Sequence, residues 1–226
     1  EYLKGIGRRK LIVPLYKELA QTALKYGCKS LAFTYNDPVV FMEYAIDAAI
    51  AARELGLKIV AVSAGYICEE PREAFYRHMD AANIDLKGFT EHFYHKICHG
   101  HLQPVLDTLI YLRKETNVWF EITTLLIPGE NDSDDELHAM CQWIFENLGP
   151  EVPLHFSAFH PDFKMLDKGR TPLSTLLRAR EIALSHGLHF VYCDNVHDPK
   201  SDATYCPACG KQVIERDWYQ LGEYTL

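Results

Sequence analysis

Five short stretches carry residue types able to do chemistry. Tyr35-Asn36-Asp37-Pro38 directly follows the apolar run Leu31-Ala32-Phe33. It offers backbone carbonyls and one carboxylate to an amine or a cation. Asp85 and Lys87 stand two apart, so on a strand they face the same way. Pointing inward, such a pair must neutralise itself or serve a ligand, because an unpaired buried charge is costly. Glu121 and Thr123 share a strand face in the same manner. His160 immediately follows the apolar segment Leu154–Phe159, where an imidazole can hydrogen-bond a ligand or titrate near neutral pH. The most specific local signal is Cys206-Pro207-Ala208-Cys209-Gly210, a metal knuckle in which backbone N–H groups face thiolate sulfur and Gly210 permits the tight turn. Zinc takes four ligands. His197, nine residues upstream of Cys206, is a candidate third, and Cys193 is another.

Each stretch also has a plainer reading. Asp37 can be an ordinary helix N-cap with Pro38 at the first helical position. Asp85 and Lys87 can form a structural salt bridge, His160 can belong to a capped loop, and the knuckle can be a half-site with free thiols. His92, His95, His99 and His101 crowd one segment, but Gly100 interrupts it and no acidic partner is evident, so it reads as solvated or hinge-like. Cys28, Cys68, Cys98 and Cys141 are expected simply to pack.

Positioning these residues requires a repeated unit. Apolar segments at 30–35, 58–64, 83–86, 118–127, 154–159 and 188–193 read as six strands. Helical patterns at 15–26, 39–55, 70–79, about 90–97, 102–115, 134–147 and 173–186 precede or separate them. Ser133 caps the sixth of these helices, with Glu136 completing a capping box. Strand–helix alternation predicts parallel pairing with right-handed crossovers. The polar loops YNDP, SAGY, DLKG, IPGEND, FHPDF and DNVHD all follow strands. They therefore gather on the C-terminal rim, where α/β folds bind ligands. The expected architecture is a partial (β/α) barrel. Residues 1–14 form an irregular N-terminal segment, 15–198 the barrel and 199–226 a small knuckle extension.

The totals exclude several classes. The 226 residues, 48% hydrophobic, suffice for one sizeable core. A formal net charge of −8 argues against nucleic acid or an anionic membrane as partner. No apolar run approaches the roughly 20 residues that span a bilayer, and the apolar stretch near the basic N-terminus is too short for a signal peptide. A cytoplasmic location is expected. Seven cysteines at scattered spacings are not a disulfide framework.

Taken together, FTYNDP, DLK, TTLLIPGENDS, HFSAFHPDFKM and NVHD…TYCPACG resemble the radical S-adenosylmethionine (SAM) enzymes of the pyruvate formate-lyase activating enzyme type. Within that type they are most similar to the AmmeMemoRadiSam-system group. The resemblance covers about Tyr26 to Tyr219. It implies a partial barrel holding SAM at its C-terminal mouth. Tyr35, Asn36, Asp37 and Pro38 then contact the methionine amino group, and Ser63 keeps a hydroxyl near the ribose. Asp85 and Lys87 serve the ribose and carboxylate, Thr123 flanks the cofactor and His160 lies over it.

The family's chemistry also needs a CxxxCxxC loop for a [4Fe–4S] cluster, and no such spacing occurs here. The resemblance implies that this loop lies before residue 1 or in place of residues 1–14, so the chain as written is expected to be inactive. The parent reaction would form a 5′-deoxyadenosyl radical for glycyl-radical activation or for modification of a partner protein. Two other classes compete: a non-catalytic barrel whose zinc knuckle docks a partner, and a metal-dependent barrel hydrolase or aldolase. The strand at 30–35, lacking a neighbour, is expected to be covered by residues 1–14 or by a dimer partner.

Overall fold

The computed structural model describes residues 8–218 and 220–225. Helix α1 (Arg8–Lys25) leads into β1 (Ser30–Phe33), α2 (Met42–Glu54), β2 (Lys58–Ser63), α3 (Glu69–Tyr76) and β3 (Ala81–Asp85). A short α4 (Glu91–Phe93) continues as a π-helical turn, Tyr94–Cys98. Then follow α5 (Gln103–Glu115), β4 (Trp119–Leu126), α6 (Asp134–Leu148), β5 (Leu154–Ala158), α7 (Leu173–Ser185) and β6 (Val191–Asp194). A single turn, α8 (Pro199–Asp202), precedes three strands, β7 (Thr204–Tyr205), β8 (Gln212–Asp217) and β9 (Gln220–Tyr224).

The first six strands form one parallel sheet in the order β1-β2-β3-β4-β5-β6. Sequential neighbours joined by helices are the (β/α) wrap that the alternation of patterns predicts, and β1 and β6 do not close the barrel. Side-chain period decides the two faces. Ile59, Ala61, Ala82, Ile84, Phe120, Ile122, Leu126, Leu154, Phe156 and Val191 are buried and share the core with the helices. Their alternates are Asn83, Asp85, Glu121, Thr123, His155, Tyr192 and Asp194, all partly accessible on the other, concave face. The second sheet, β7-β8-β9, is antiparallel. It extends the single knuckle expected for residues 199–226.

Several expectations shift. Residues 8–14, expected to be irregular, are helical in backbone. Pro14 costs α1 one backbone hydrogen bond, yet the helix runs through it. Residues 1–7 lie outside the described residues. Pro38 and Asp37 do not start α2. They head a turn in which Val40 N–H donates to the Asp37 carbonyl, and the helix begins at Met42 with Phe41 as N-cap. The capping box at Ser133 is half made. The Glu136 N–H donates to Ser133 Oγ at 3.4 Å, but the Glu136 carboxylate instead accepts the Phe89 N–H at 2.6 Å. Cys28 and Cys68 are exposed, so only Cys141 and, in part, Cys98 pack as expected. Among the described residues no strand pairs with the outer edge of β1. Nor is any described helix long and apolar enough to cross a membrane.

Phe156 is fully buried in β5 between neighbours on both sides. Phe156→Ala is expected to cost about 3–5 kcal/mol through lost burial and a residual cavity. The midpoint of urea unfolding should fall accordingly.

Candidate functional site

The C-terminal ends of β1 to β5 carry the predicted residues to one rim. At β1, Tyr35 takes a left-handed backbone (φ 70°) and its side chain is fully exposed beside exposed Asn36. Asp37 behaves differently. Its carboxylate accepts from the Ser63 hydroxyl at 3.0 Å, the Ala64 N–H at 2.8 Å and the Val39 N–H at 3.0 Å. Ser63 is 2% exposed, and its Oγ also accepts the Gly65 N–H at 3.0 Å. Asp37 and Ser63 therefore lock the β1 loop to the end of β2. Gly65 is required there: its φ is +65°, and a Cβ would sit 2.9 Å from an Ile84 methyl.

Ala64 lines a cavity of about 240 Å³ together with Asp85, Lys87, Tyr66, Tyr94, Cys98 and His99. Here Lys87 Nζ donates to Asp85 at 2.8 Å, with both side chains partly exposed. The pair is thus neutralised and still reachable. Burial is the main cause that raises the Cys98 thiol, against the pull of Lys87. The π-turn beside it and the left-handed His99 (φ 54°) shape the far wall. π-turns interrupt helices most often at functional sites. Thr123 lies opposite Asp85 in register and accepts from Asn83 Nδ2 at 2.9 Å. His160 follows β5 on the same rim and is exposed, but no described hydrogen bond or ion pair joins it to Asp85 or Lys87.

Two residues important to this geometry are not marked by sequence reasoning. Asn131, 2% exposed, donates to the carbonyls of Lys87 (2.7 Å) and Leu125 (2.9 Å) and accepts the Ile127 N–H (2.7 Å). It ties the β3 and β4 loops and sets the backbone of Lys87. His155 sits on the concave face with Nδ1 3.1 Å from Asp194 and Nε2 3.2 Å from Glu121. The second contact is an ion pair without hydrogen-bond alignment. Its ring stacks on Tyr192, which also neighbours the Arg216 guanidinium at 5.7 Å. These groups, with Trp119 and Phe190, line a cavity of about 490 Å³ roofed by Thr204, Ile214 and Arg216 of the second sheet. The available signal was the two-residue period, which puts His155 on the same strand face as Ser157.

Burial opposes the His155 charge, but the Asp194 hydrogen bond and Glu121 outweigh it and raise the pKa from 6.5 to about 9. The imidazolium is therefore the form present at neutral pH.

At the knuckle, backbone N–H groups of Cys209 and Ala208, then the Cys209 thiol, hold Cys206 below the ordinary thiol range. His197 does not join it. Its ring stacks on Trp218 and Nδ1 lies 3.6 Å from Asp217. Cys193 is 2% exposed in the core, its pKa pushed up by burial to about 11. Among the described residues no three His, Cys, Asp or Glu side chains gather into a group able to hold a metal. The thiols present thus do not fit a [4Fe–4S] cluster, which needs three.

Two measurements check this geometry. Since the folded pKa of His155 exceeds its unfolded value, its contribution to stability is complete below about pH 6.5 and is lost as pH rises through about 9. Denaturant midpoints should fall over that window in the native protein, and His155→Gln should flatten the fall. Asn131→Ala should destabilise by about 2–3 kcal/mol, since it leaves buried carbonyls and an N–H unpaired; urea unfolding reads it directly.

The Radical SAM superfamily model matches residues 4–141. The chain is 42% identical over 200 residues to Uncharacterized protein MJ0808 of Methanocaldococcus jannaschii. That alignment covers 88% of this chain and 59% of the relative, so the chain spans about three-fifths of that relative's length. Its fold is similar to a domain of pyruvate-formate lyase-activating enzyme from Bacteroides vulgatus (TM-score 0.64, 15% identity, 74% of this chain and 99% of that one). It is also similar to a radical SAM methyltransferase from Sphaerobacter thermophilus (TM-score 0.63, 13% identity, 80% and 55%). With that family match covering more than half of the chain, the chain belongs to the radical SAM superfamily.

Proposed function

We propose that this chain forms the SAM-binding wall of a radical SAM enzyme of the activating-enzyme type, and that these 226 residues do not cleave SAM by themselves. The observation that carries the reading is the family match over residues 4–141, laid on a rim whose cavity is bordered by a reachable Asp85–Lys87 pair. Lys87 supplies a cation for the SAM carboxylate, and Asp85 supplies acceptors for ribose hydroxyls. The carbonyls of the exposed Tyr35-Asn36 turn remain for the methionine ammonium, because the Asp37 carboxylate and the Ser63 hydroxyl are engaged within the scaffold. Those two residues, Pro38 and Asn131 position the loops. Thr123 flanks the cavity, and His160 overhangs the rim.

SAM, when reductively cleaved, supplies a 5′-deoxyadenosyl radical that takes hydrogen from a substrate. The substrate class we favour is a glycyl site or another position on a partner protein. No step of that cleavage is assigned to this chain's cysteines, because they offer neither a CxxxCxxC spacing nor a gathered three-thiol set among the described residues. Residues outside this sequence would bring them.

The test compares the 226-residue chain with a form extended upstream. Under anaerobic reduction, only the extended form should bind iron and produce 5′-deoxyadenosine. Robust 5′-deoxyadenosine from the shorter chain would overturn the incompetence. Calorimetry should show SAM binding to the shorter chain, weakened about tenfold or more in Lys87→Ala, as expected for loss of one charge-assisted contact. Complete absence of SAM binding in both forms would favour the other reading, a non-catalytic barrel that docks a partner through its knuckle. The specific observation on that side is the Cys206–Gly210 turn, closed by the Gly210 N–H donating to the Cys206 carbonyl at 2.8 Å.

A further inference from the structure

Four concave-face residues stand in register across four strands. Asp85 on β3 lies opposite Thr123 on β4, Thr123 opposite His155 on β5, and His155 opposite Tyr192 on β6. Neighbouring strands lie about 4.8 Å apart, so His155 stands roughly 10 Å from Asp85 along that row. Asp85 borders the cavity of about 240 Å³, and His155 borders the cavity of about 490 Å³. The two cavities therefore share one face of the sheet, with Thr123 in the row between them.

The larger cavity is anionic. Its lining sets four carboxylates, Glu121, Glu151, Asp194 and Asp202, against two cations, the His155 imidazolium and Arg216. Three of the carboxylates have close internal partners. Asp194 takes His155 Nδ1 at 3.1 Å, Asp202 accepts the Trp218 N–H at 2.9 Å, and Glu151 lies 2.7 Å from His189. Glu121 differs. Its side chain is 29% exposed, and its ion pair with His155 Nε2 at 3.2 Å lacks hydrogen-bond alignment. A carboxylate at a cavity wall with unused acceptor positions is a receptor for charged N–H donors.

Aromatic groups adjoin that carboxylate. Trp119 stands two residues before Glu121 on the same strand face and is 57% exposed. Phe190 and Tyr192 line the same cavity. Tyr192 already carries one guanidinium, that of Arg216, 5.7 Å from its ring centre. Arg216 also donates to Thr204 and to the Asp202 carbonyl, so it is a fixed part of the wall. Aromatic faces attract ammonium and guanidinium groups. Together with the excess of carboxylates, they select an organic cation over an anion.

We propose that this cavity holds a cationic group of the substrate, a lysine or arginine side chain of the partner protein, with Glu121 as its counter-ion and Trp119 against its apolar stem. The inference rests on the function proposed above, because the shared concave face is what makes the cavity a substrate subsite. The cation anchors the chain while a neighbouring position faces the SAM cavity. His155 is a positioning residue: with Asp194 behind it, the imidazolium holds the Glu121 carboxylate at the wall.

The test adds butylamine and butylguanidine to the 226-residue protein without SAM and follows the Trp119 indole and His155 ring signals by NMR. Saturable shifts at both residues are expected, with dissociation constants on the order of 1 mM for such small ligands. Butanol and butyrate should produce neither. A capped peptide with one central lysine should bind at least as tightly as butylamine, and its norleucine counterpart should not bind. Glu121→Gln should weaken the amine about tenfold or more, through loss of a charge-assisted contact. Trp119→Ala, at an exposed position, should weaken it about two- to fivefold, and it decides the matter if Glu121→Gln fails to fold. Glu115→Gln, an exposed carboxylate bordering a different cavity, should leave binding unchanged. SAM should not displace the amine. Butanol or butyrate binding as tightly as the amine, binding unaltered by both cavity variants, or displacement by SAM would each overturn the inference. SAM binding through Lys87 with no amine binding would overturn it and leave the earlier reading standing. Amine binding with no SAM binding would remove the earlier reading and, with it, the assignment of this cavity to a substrate.

Discussion

The two sides of the six-stranded sheet are solvated differently, and the rest of the structure depends on that asymmetry. One set of alternate residues is aliphatic or aromatic and is buried with the helices. The other set is polar or ionisable and remains partly wet. A shift of one residue in any strand would exchange the sets, burying Asp85, Glu121 and His155 and exposing Ile84, Ile122 and Phe156. The cost of unpaired buried charge makes that register inaccessible. The polar concave face is thus guaranteed by the same period that builds the core.

Side-chain clamps on backbone groups then turn a row of strand ends into a shaped rim. Asp37 gathers amides and a hydroxyl from three neighbours, and Asn131 spans the loops after β3 and β4. Lys168 pairs with Glu130 between the loops after β4 and β5. These residues use their polarity on the scaffold, and none of them lines the cavity. The Asp85–Lys87 pair is the exception, since it is paired yet remains partly accessible. A ligand that matches both charges could exchange one internal contact for two external ones.

The concave face has a second centre, formed across β4, β5 and β6. Glu121, His155 and Asp194 share one proton-bearing imidazole, and Tyr192 passes the arrangement on to Arg216 and the second sheet. The barrel and its C-terminal extension are joined in part through polar contacts, the Tyr192–Thr204 hydrogen bond and the Arg216 guanidinium over the Tyr192 ring. Such a joint adds little hydrophobic stability to the extension, whose strands β8 and β9 bury no residue.

The sequence by itself determined the strand–helix alternation, the parallel sheet and the rim on which Asp37, Asp85, Lys87 and His160 stand. Those features follow from local period and from turn residues, which need only a few neighbours to be read. It also determined the tight turn at Cys206, because its glycine and two cysteines suffice to define it. Only the tertiary structure decided what each polar atom is for. The Asp37 carboxylate went to the scaffold because Ser63 and Ala64, on the next strand, present donors to it. Asn131 became a clamp because the Lys87 carbonyl comes within reach across a strand boundary. His155 acquired its charge from Glu121 and Asp194, on strands either side. His197 turned to Trp218 and Asp217 instead of the thiols. Partners tens of residues apart in the chain leave no local pattern, and their meeting is a consequence of the tertiary fold.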